Sequence, residues 1–310
     1  MRRIITTLIT IILFSCSSNN DEQQTPVDQN NEGNILKSYY TSNRVDEHFF
    51  ENNGSRREKI NHYNTLSSKY FYDENNKMLK IVEYNTNGAN ISGSILFYYD
   101  QLNRIEKIEK YTGSYLSEIN LVSYDGNVIT SQIVSDNSNP LGFNSIRTRY
   151  TLNNLGLLIK YEKFNLNQNT NTESIISYNT FIYDSNKNII SSKHSESGSH
   201  DLPDSNPSTT YTFSYTFDDK LNPLFEVYQN HYLNYILLQN KSFDFSFPYG
   251  TDFRDYSKNN FLNTIYPSNY PNTKYYRQLT YQNNNKLKTA KFLDLTDNFV
   301  TSINTFNYTN

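Results

Sequence analysis

The chain has 310 residues but a single cysteine, two alanines, ten glycines and no tryptophan. One thiol cannot form an internal disulfide, and it cannot supply the several thiolates of a cysteine-ligated zinc. The basic excess of nucleic-acid binders is missing, since 28 basic and 31 acidic residues leave a formal charge of −3. No run of roughly 20 apolar residues is present, so no membrane-spanning helix is expected. A P-loop, a glycine-rich dinucleotide fingerprint and a Gly-x-Ser-x-Gly elbow are also absent, and no cofactor is expected.

What is abundant is asparagine (47 residues) and tyrosine (28). Both have AT-rich codons, so only their placement is informative. Leu, Ile, Val and Phe make 78 of the 310 residues, about 25% and above the roughly 20% of disordered chains. An aromatic-rich, β-dominated body of one or two domains is the expectation.

Residues 1–15 read as a signal peptide. Arg2 and Arg3 precede the apolar stretch from Ile4 to Phe14, which is too short to span a bilayer. The stretch ends in Leu13-Phe14-Ser15-Cys16, which resembles the lipobox of bacterial lipoproteins. That resemblance implies acylation of Cys16 and a membrane partner reached through the lipid. Two or three acyl chains anchor stably where one holds only marginally. Losing residues 1–15 removes two bases, leaving 26 against 31 acids and a charge of −5.

Residues 16–37 read as the lipidated Cys16 and a polar tether. Asp21-Glu22 resembles the acidic stretch that sends some Bacteroides–Flavobacterium lipoproteins to the cell surface. A plain linker with a periplasmic protein explains the pair equally well.

The body, residues 38–310, repeats one degenerate unit: aromatic, x, Tyr, Asp, polar residues with Asn, a base, then an apolar run. Tyr70 to Met78 is the clearest copy, and Phe97 to Ile105 follows 27 residues later. The turn residues are Asp73, Asp100, Asp125, Asn153, Asp184 and Asp218, with a worn copy around Tyr281 and an early one at Phe49 to Gly54. Tyr, Phe and Ile favour strands. Asp at the turn start can accept backbone N–H groups two residues on. Asn or Gly three residues later tolerates positive φ. Seven or eight such hairpins predict 14–18 antiparallel strands in meander order. Charges in strands such as Ile105 to Tyr111 predict a solvated outer face, and they argue against a bilayer-facing wall.

These units resemble the YD (Rhs-type) repeat. With the lipobox, they resemble a family of Bacteroides–Flavobacterium lipoproteins that carry degenerate copies. The resemblance covers about residues 65–310 and implies an all-β sheet curled into a barrel-like or shell-like body. It is silent on activity. A toxin-delivery role is not expected, because no long array or effector domain follows.

Residues 224–278 break the period and read as an irregular insertion or cap. Asn230 to Leu238 is the best helix candidate, with Tyr232, Tyr235 and Ile236 at helical spacing, although a further strand pair fits as well. Phe243 to Phe247 alternates like a strand. Of five histidines, His194 and His200 lie with Glu196 in the densest set of ligand-type residues. That stretch is rich in Ser and Gly and lacks helical spacing, so a hairpin loop is expected there and a metal site is not.

Three functions remain at this level. The first is an outer-membrane lipoprotein acting as a non-enzymatic binding module for a glycan or an envelope protein. The second is an assembly scaffold of the envelope. The third is a hydrolase, which needs two facing carboxylates that no spacing suggests.

Overall fold

The computed structural model describes residues 35–42, 45–136, 144–167, 170–197, 207–238, 253–268 and 274–309. The signal, Cys16, most of the tether, His200 and the segment Phe243 to Phe247 lie outside the described residues. The first strand begins at Leu36, just before the body expected from residue 38.

Eighteen strands are present among the described residues, and they form one antiparallel sheet. They are best read as hairpins. The first four are β2 (Asp46–Glu51) with β3 (Arg56–His62), β4 (Thr65–Tyr72) with β5 (Met78–Tyr84), β6 (Ile91–Tyr99) with β7 (Ile105–Thr112), and β8 (Tyr115–Asp125) with β9 (Val128–Asp136). Next come β10 (Asn144–Leu152) with β11 (Leu158–Asn167) and β12 (Thr172–Tyr183) with β13 (Ile189–Ser197). The last two are β14 (Pro207–Leu221) with β15 (Asn259–Ile265) and β16 (Tyr275–Tyr281) with β17 (Leu287–Asp294). The final strand, β18 (Val300–Tyr308), pairs with β1 (Leu36–Thr41), and β1 also pairs with β2. Each strand therefore has two neighbours, and the meander closes into a barrel without a free edge. Eight hairpins are covalent, and the ninth is assembled from the two ends of the described chain.

The turns at one rim share one geometry. In the turns that start at Asp73, Asp100, Asn153, Asp184 and Gln282, the first residue donates its N–H to the carbonyl of the fifth at 2.8–2.9 Å. The fourth residue then sits at positive φ: Asn76 at 63°, Asn103 at 60°, Gly156 at 75°, Lys187 at 66° and Asn285 at 62°. This is a type I turn followed by a left-handed residue, the common longer hairpin loop. The side chain of the first residue explains the preference for Asp. Asp73 Oδ1 accepts from Asn75 N at 2.9 Å and Lys77 N at 2.8 Å. Asp100, Asn153 and Asp184 accept from the equivalent pairs of amides.

Two of the expected turn residues behave differently. Asp125 stands beside the two-residue loop Gly126-Asn127, pairing with Val128, so it has no fifth residue to bind. Asp218 does not close a hairpin at once. Its Oδ1 accepts from Lys220 N at 3.0 Å and then from Asn260 N at 3.1 Å. Phe217 pairs with Phe261 as Tyr72 pairs with Met78, so Asn260 fills the fifth position. The insertion thus enters an otherwise ordinary turn and returns to it.

Inside the insertion, α1 (Phe225–Asn230) and α2 (Tyr232–Leu238) break at His231. The helix reading of this stretch holds, but as two short helices. Val227, Tyr228, Tyr235, Ile236 and Leu237 are buried in the main core. The same core holds the wall residues Met78, Ile105, Leu158, Ile189 and Leu287, each the first residue after a five-residue turn, and Ile129, the second residue after the Gly126-Asn127 loop. The helix pair therefore lies against the apolar layer at the turn rim.

The tyrosine of each repeat connects neighbouring hairpins. Tyr99 OH donates to Met78 O at 2.7 Å, Tyr124 OH to Ile105 O at 3.0 Å, Tyr183 OH to Leu158 O at 2.8 Å and Tyr308 OH to Leu287 O at 3.0 Å. In every case the acceptor is the first residue after the preceding turn. Leu152 and Phe217 occupy the same position without a hydroxyl. Tyr281 donates instead to Asp218 Oδ2.

Candidate functional site

The turn rim holds the groups most able to bind something. The ninth hairpin has the backbone bond of the others, Thr309 N to Ile35 O at 2.9 Å, but no continuous loop joins them. A cleft of ≈ 190 Å³ opens at this place. Ile35, Leu36 and Tyr308 line it from the strand ends, and Asn53 and Gly54 line it from the β2–β3 turn. Glu226 of α1 and Lys286 of the β16–β17 turn complete it with one charge of each sign. Gly54 is required here: its φ is +75°, and a Cβ would lie 3.0 Å from the carbonyl oxygen of Leu36. Sequence reading missed this cleft. Its only local signals are the Asn-Gly turn and the base at position 286.

Arg57 holds the insertion in place from below. It is 4% exposed. Its guanidinium lies 3.4 Å from both Tyr70 OH and Tyr228 OH and 5.5 Å from the Tyr235 ring centre. No acidic partner for it is present among the described residues. His231, between the helices, is also buried, with the Tyr72 ring centre 4.9 Å away. Burial, with a smaller push from Arg56, lowers its pKa from 6.5 to about 4.

Two carboxylates are buried among the described residues, Glu109 and Glu118. Glu109 pairs with Lys107 at 2.8 Å and accepts from Tyr98 at 2.7 Å and Tyr111 at 2.9 Å. Burial pushes its pKa up, but Lys107 and the two phenols outweigh that and the net shift is down. Glu118 pairs with Lys110 at 2.5 Å. Lys110 stands opposite Glu118 in the ladder, and Glu109 is the residue before Lys110. Side chains alternate along a strand, so the two carboxylates occupy opposite faces of the sheet. The charged stretch 106–110 is thus only partly solvated: Glu106 is exposed, while Glu109 is covered by its phenols.

The expected ligand cluster does not assemble among the described residues. His194 lies in β13 and shares a hydrogen bond of 2.5 Å with Asn179 Oδ1. The Glu196 side chain and His200 are outside the described residues, and no group of three metal-type ligands occurs among the described ones. The turn residues Asp73, Asp100, Asn153 and Asp184 are occupied by backbone amides. The repeat tyrosines are committed to wall bonds, while Tyr63 and Tyr115 stand exposed at turns on the opposite rim.

No family model matches the sequence, and no curated protein matches it. Among solved structures, the chain is similar to a porin-like protein from Bacteroides vulgatus, at 11% identity and a TM-score of 0.39 over 88% of this chain and 98% of that one. It is also similar to a porin-like protein from Bacteroides uniformis, at 10% identity and a TM-score of 0.29, over 78% and 94%. A solved structure of TcdB2-TccC3-TEV aligns at 12% identity and a TM-score of 0.33, covering 82% of this chain and 12% of that one.

Proposed function

We propose that the chain is a lipoprotein held to the outer membrane through Cys16, and that its barrel binds a glycan and performs no chemistry of its own. The observation that carries this reading is the rim cleft. It brings Asn53, Lys286, Glu226 and Tyr308 together in one concave site of ≈ 190 Å³.

Three further observations support it. The lipobox ending in Cys16 supports an anchor, and the shared Asp turns support the likeness to YD repeats. Strands of six or seven residues such as β1, β2 and β3 fall short of the roughly 9–11 that a tilted bilayer-crossing strand needs. Lys69, Glu83, Glu106, Lys193 and Lys288 are strand residues that are exposed, where a lipid-facing wall needs apolar side chains. Both points favour a barrel that hangs in water from its anchor. The separation of Glu109 and Glu118 on opposite faces speaks against a hydrolase working through that pair.

A glycan array probed with the purified chain, followed by calorimetry on any glycan retained, tests the binding role. Absence of any retained glycan would sink it. Radiolabelled palmitate incorporation, abolished in Cys16→Ser, tests the anchor independently.

A further inference from the structure

The outer face of β3 to β5 carries three lysines in a group. Lys59, Lys69 and Lys80 each precede a residue packed into the barrel core, Ile60, Tyr70 and Ile81. Side chains alternate along a strand, so the three lysines share the outer face. Lys59 stands directly opposite Lys69 in the ladder, and Lys80 stands opposite Phe71, two residues beyond Lys69. Like charges placed opposite each other destabilise a sheet. None of the three makes an ion pair among the described residues, whereas Lys107 and Lys160, on the outer faces of β7 and β11, reach Glu109 and Glu162 at 2.8 Å. Glu58, the extra residue of the bulge beside Lys59, offsets only part of this charge.

Apolar side chains lie among the lysines. Lys59 Nζ sits 4.7 Å from the Phe49 ring centre, and Lys69 Nζ sits 5.5 Å from that of Phe71. Phe71 and Leu79, the residue before Lys80, are both exposed. Bases interleaved with exposed apolar side chains suit a lipid surface, where the cations meet headgroup phosphates and the apolar tips enter the boundary beneath them. The anchor lies close by. Leu36 begins β1, whose partner β2 places Phe49 opposite Lys59. Residues 17–34 number 18 and span at most about 60 Å. An acylated Cys16 therefore keeps this face within reach of the leaflet and raises the local concentration of headgroups.

We propose that the outer face of β3 to β5 seats the barrel against an anionic lipid surface, with Lys59, Lys69 and Lys80 on the headgroup phosphates and Phe71 and Leu79 at the apolar boundary. A phosphate over Lys59 and Lys69 removes the like-charge cost that the isolated barrel carries. The inference rests on the membrane anchorage proposed above and adds the face that meets the membrane.

The test uses the chain without residues 1–15 and with Cys16→Ser, so that neither the apolar stretch of the signal nor an acyl chain contributes. Co-sedimentation is measured with vesicles of phosphatidylcholine alone and of an equal mixture with phosphatidylglycerol. Binding to the mixed vesicles only is expected, weakening as salt is added. Lys59→Gln, Lys69→Gln and Lys80→Gln combined are expected to weaken it by about a hundredfold, since one base near an anionic surface is worth roughly fivefold. The melting temperature of that variant is expected to hold or rise, because a like-charge pair is removed. The chain has no tryptophan, so Phe71→Trp supplies a single reporter. Its emission is expected to shift to the blue on the mixed vesicles and to be quenched by brominated lipid. Ile182→Trp, exposed on β12 across the barrel, is expected to stay unquenched. No binding to the mixed vesicles, or binding untouched by the three lysine substitutions, would overturn the proposal. Binding lost in the triple variant but with Phe71→Trp unquenched would also overturn it, and would mark the lysines as a site for a soluble polyanion. None of these results bears on the anchor, which palmitate incorporation at Cys16 tests by itself.

Discussion

Thr309 donates its amide N–H to the carbonyl of Ile35 at 2.9 Å, the bond that Asp73 makes to Lys77 at 2.9 Å inside a continuous loop. The two ends of the described chain are therefore the first and fifth residues of a ninth turn. A barrel closed as a ring of nine hairpins, six of whose turns share this bond, is not expected to depend on which of those six is cut.

A permuted chain tests this equivalence. Residue 309 is joined to residue 35 by three residues, the third a glycine, and new ends are opened between Asn283 and Asn284. Cooperative urea unfolding with an unchanged slope is expected, because the slope follows the surface exposed on unfolding. A gradual loss of β signal without a single transition would show that the seam is special.

The tyrosine bolts give a second prediction. Tyr99→Phe leaves the Met78 carbonyl without its donor and Asn234 Nδ2 without the acceptor it holds at 3.0 Å. Buried groups left unpaired cost about 1–3 kcal/mol each. A fall of this order in unfolding free energy is expected. Tyr115→Phe, at the exposed first residue of β8, serves as the control with no change.

These bonds also explain what the sequence made legible. The Asp turns and the left-handed residue after them follow from a bonding pattern complete within five residues, so Asp73 and Asp184 behave as their spacing predicts. The helix reading of Tyr232, Tyr235 and Ile236 was open to the same local logic. Asp218 accepts from the amide two residues on as its spacing predicts, but its fifth residue is Asn260, 42 positions away, which no local pattern reveals. Asp125 opens the shortened copy of the unit, where Gly126 and Asn127 alone form the loop. The cleft had no local signature, since Gly54, Glu226, Lys286 and Tyr308 meet only when the barrel closes.

Lys187 is the one long charged side chain among the five left-handed turn positions, at φ 66°. A non-glycine residue there carries a steric cost of roughly 1–2 kcal/mol. Lys187→Gly is expected to raise stability by about 1 kcal/mol, after the extra entropy of an unfolded glycine is subtracted. Thermal unfolding of the variant checks the sign, and a lower melting temperature would contradict the shared geometry.

His231 makes stability depend on pH. Its folded pKa of about 4 lies below the ordinary 6.5, so the unfolded chain takes up the proton first. Its contribution is fully present above pH 6.5 and is lost as pH falls from 6.5 toward 4. About 2.5 pKa units at 1.36 kcal/mol each give roughly 3 kcal/mol across that window. His231→Phe is expected to flatten the stability profile between pH 6.5 and 4.5 relative to the parent. Parallel profiles for the two chains would show that His231 charges without cost.

The insertion makes the strongest demand on the repeat reading. Residues 219–259 replaced by three residues, the last a glycine, leave Asp218 and Asn260 as the first and fifth positions of an ordinary turn. The ladder pairing of Phe217 with Phe261 already has the right register, so the strands are expected to form and the β signal to persist. The turn rim then loses Val227, Tyr228, Tyr235, Ile236 and Leu237, whose burial contributes roughly 1.5–3 kcal/mol per large apolar side chain. Arg57 loses its partners on the helices at the same time. A β-rich chain of lower stability that binds a hydrophobic dye is expected. A chain without β signal would mean that the helix pair is needed to build the barrel, whereas the register of Phe217 with Phe261 places it as a stopper added to one.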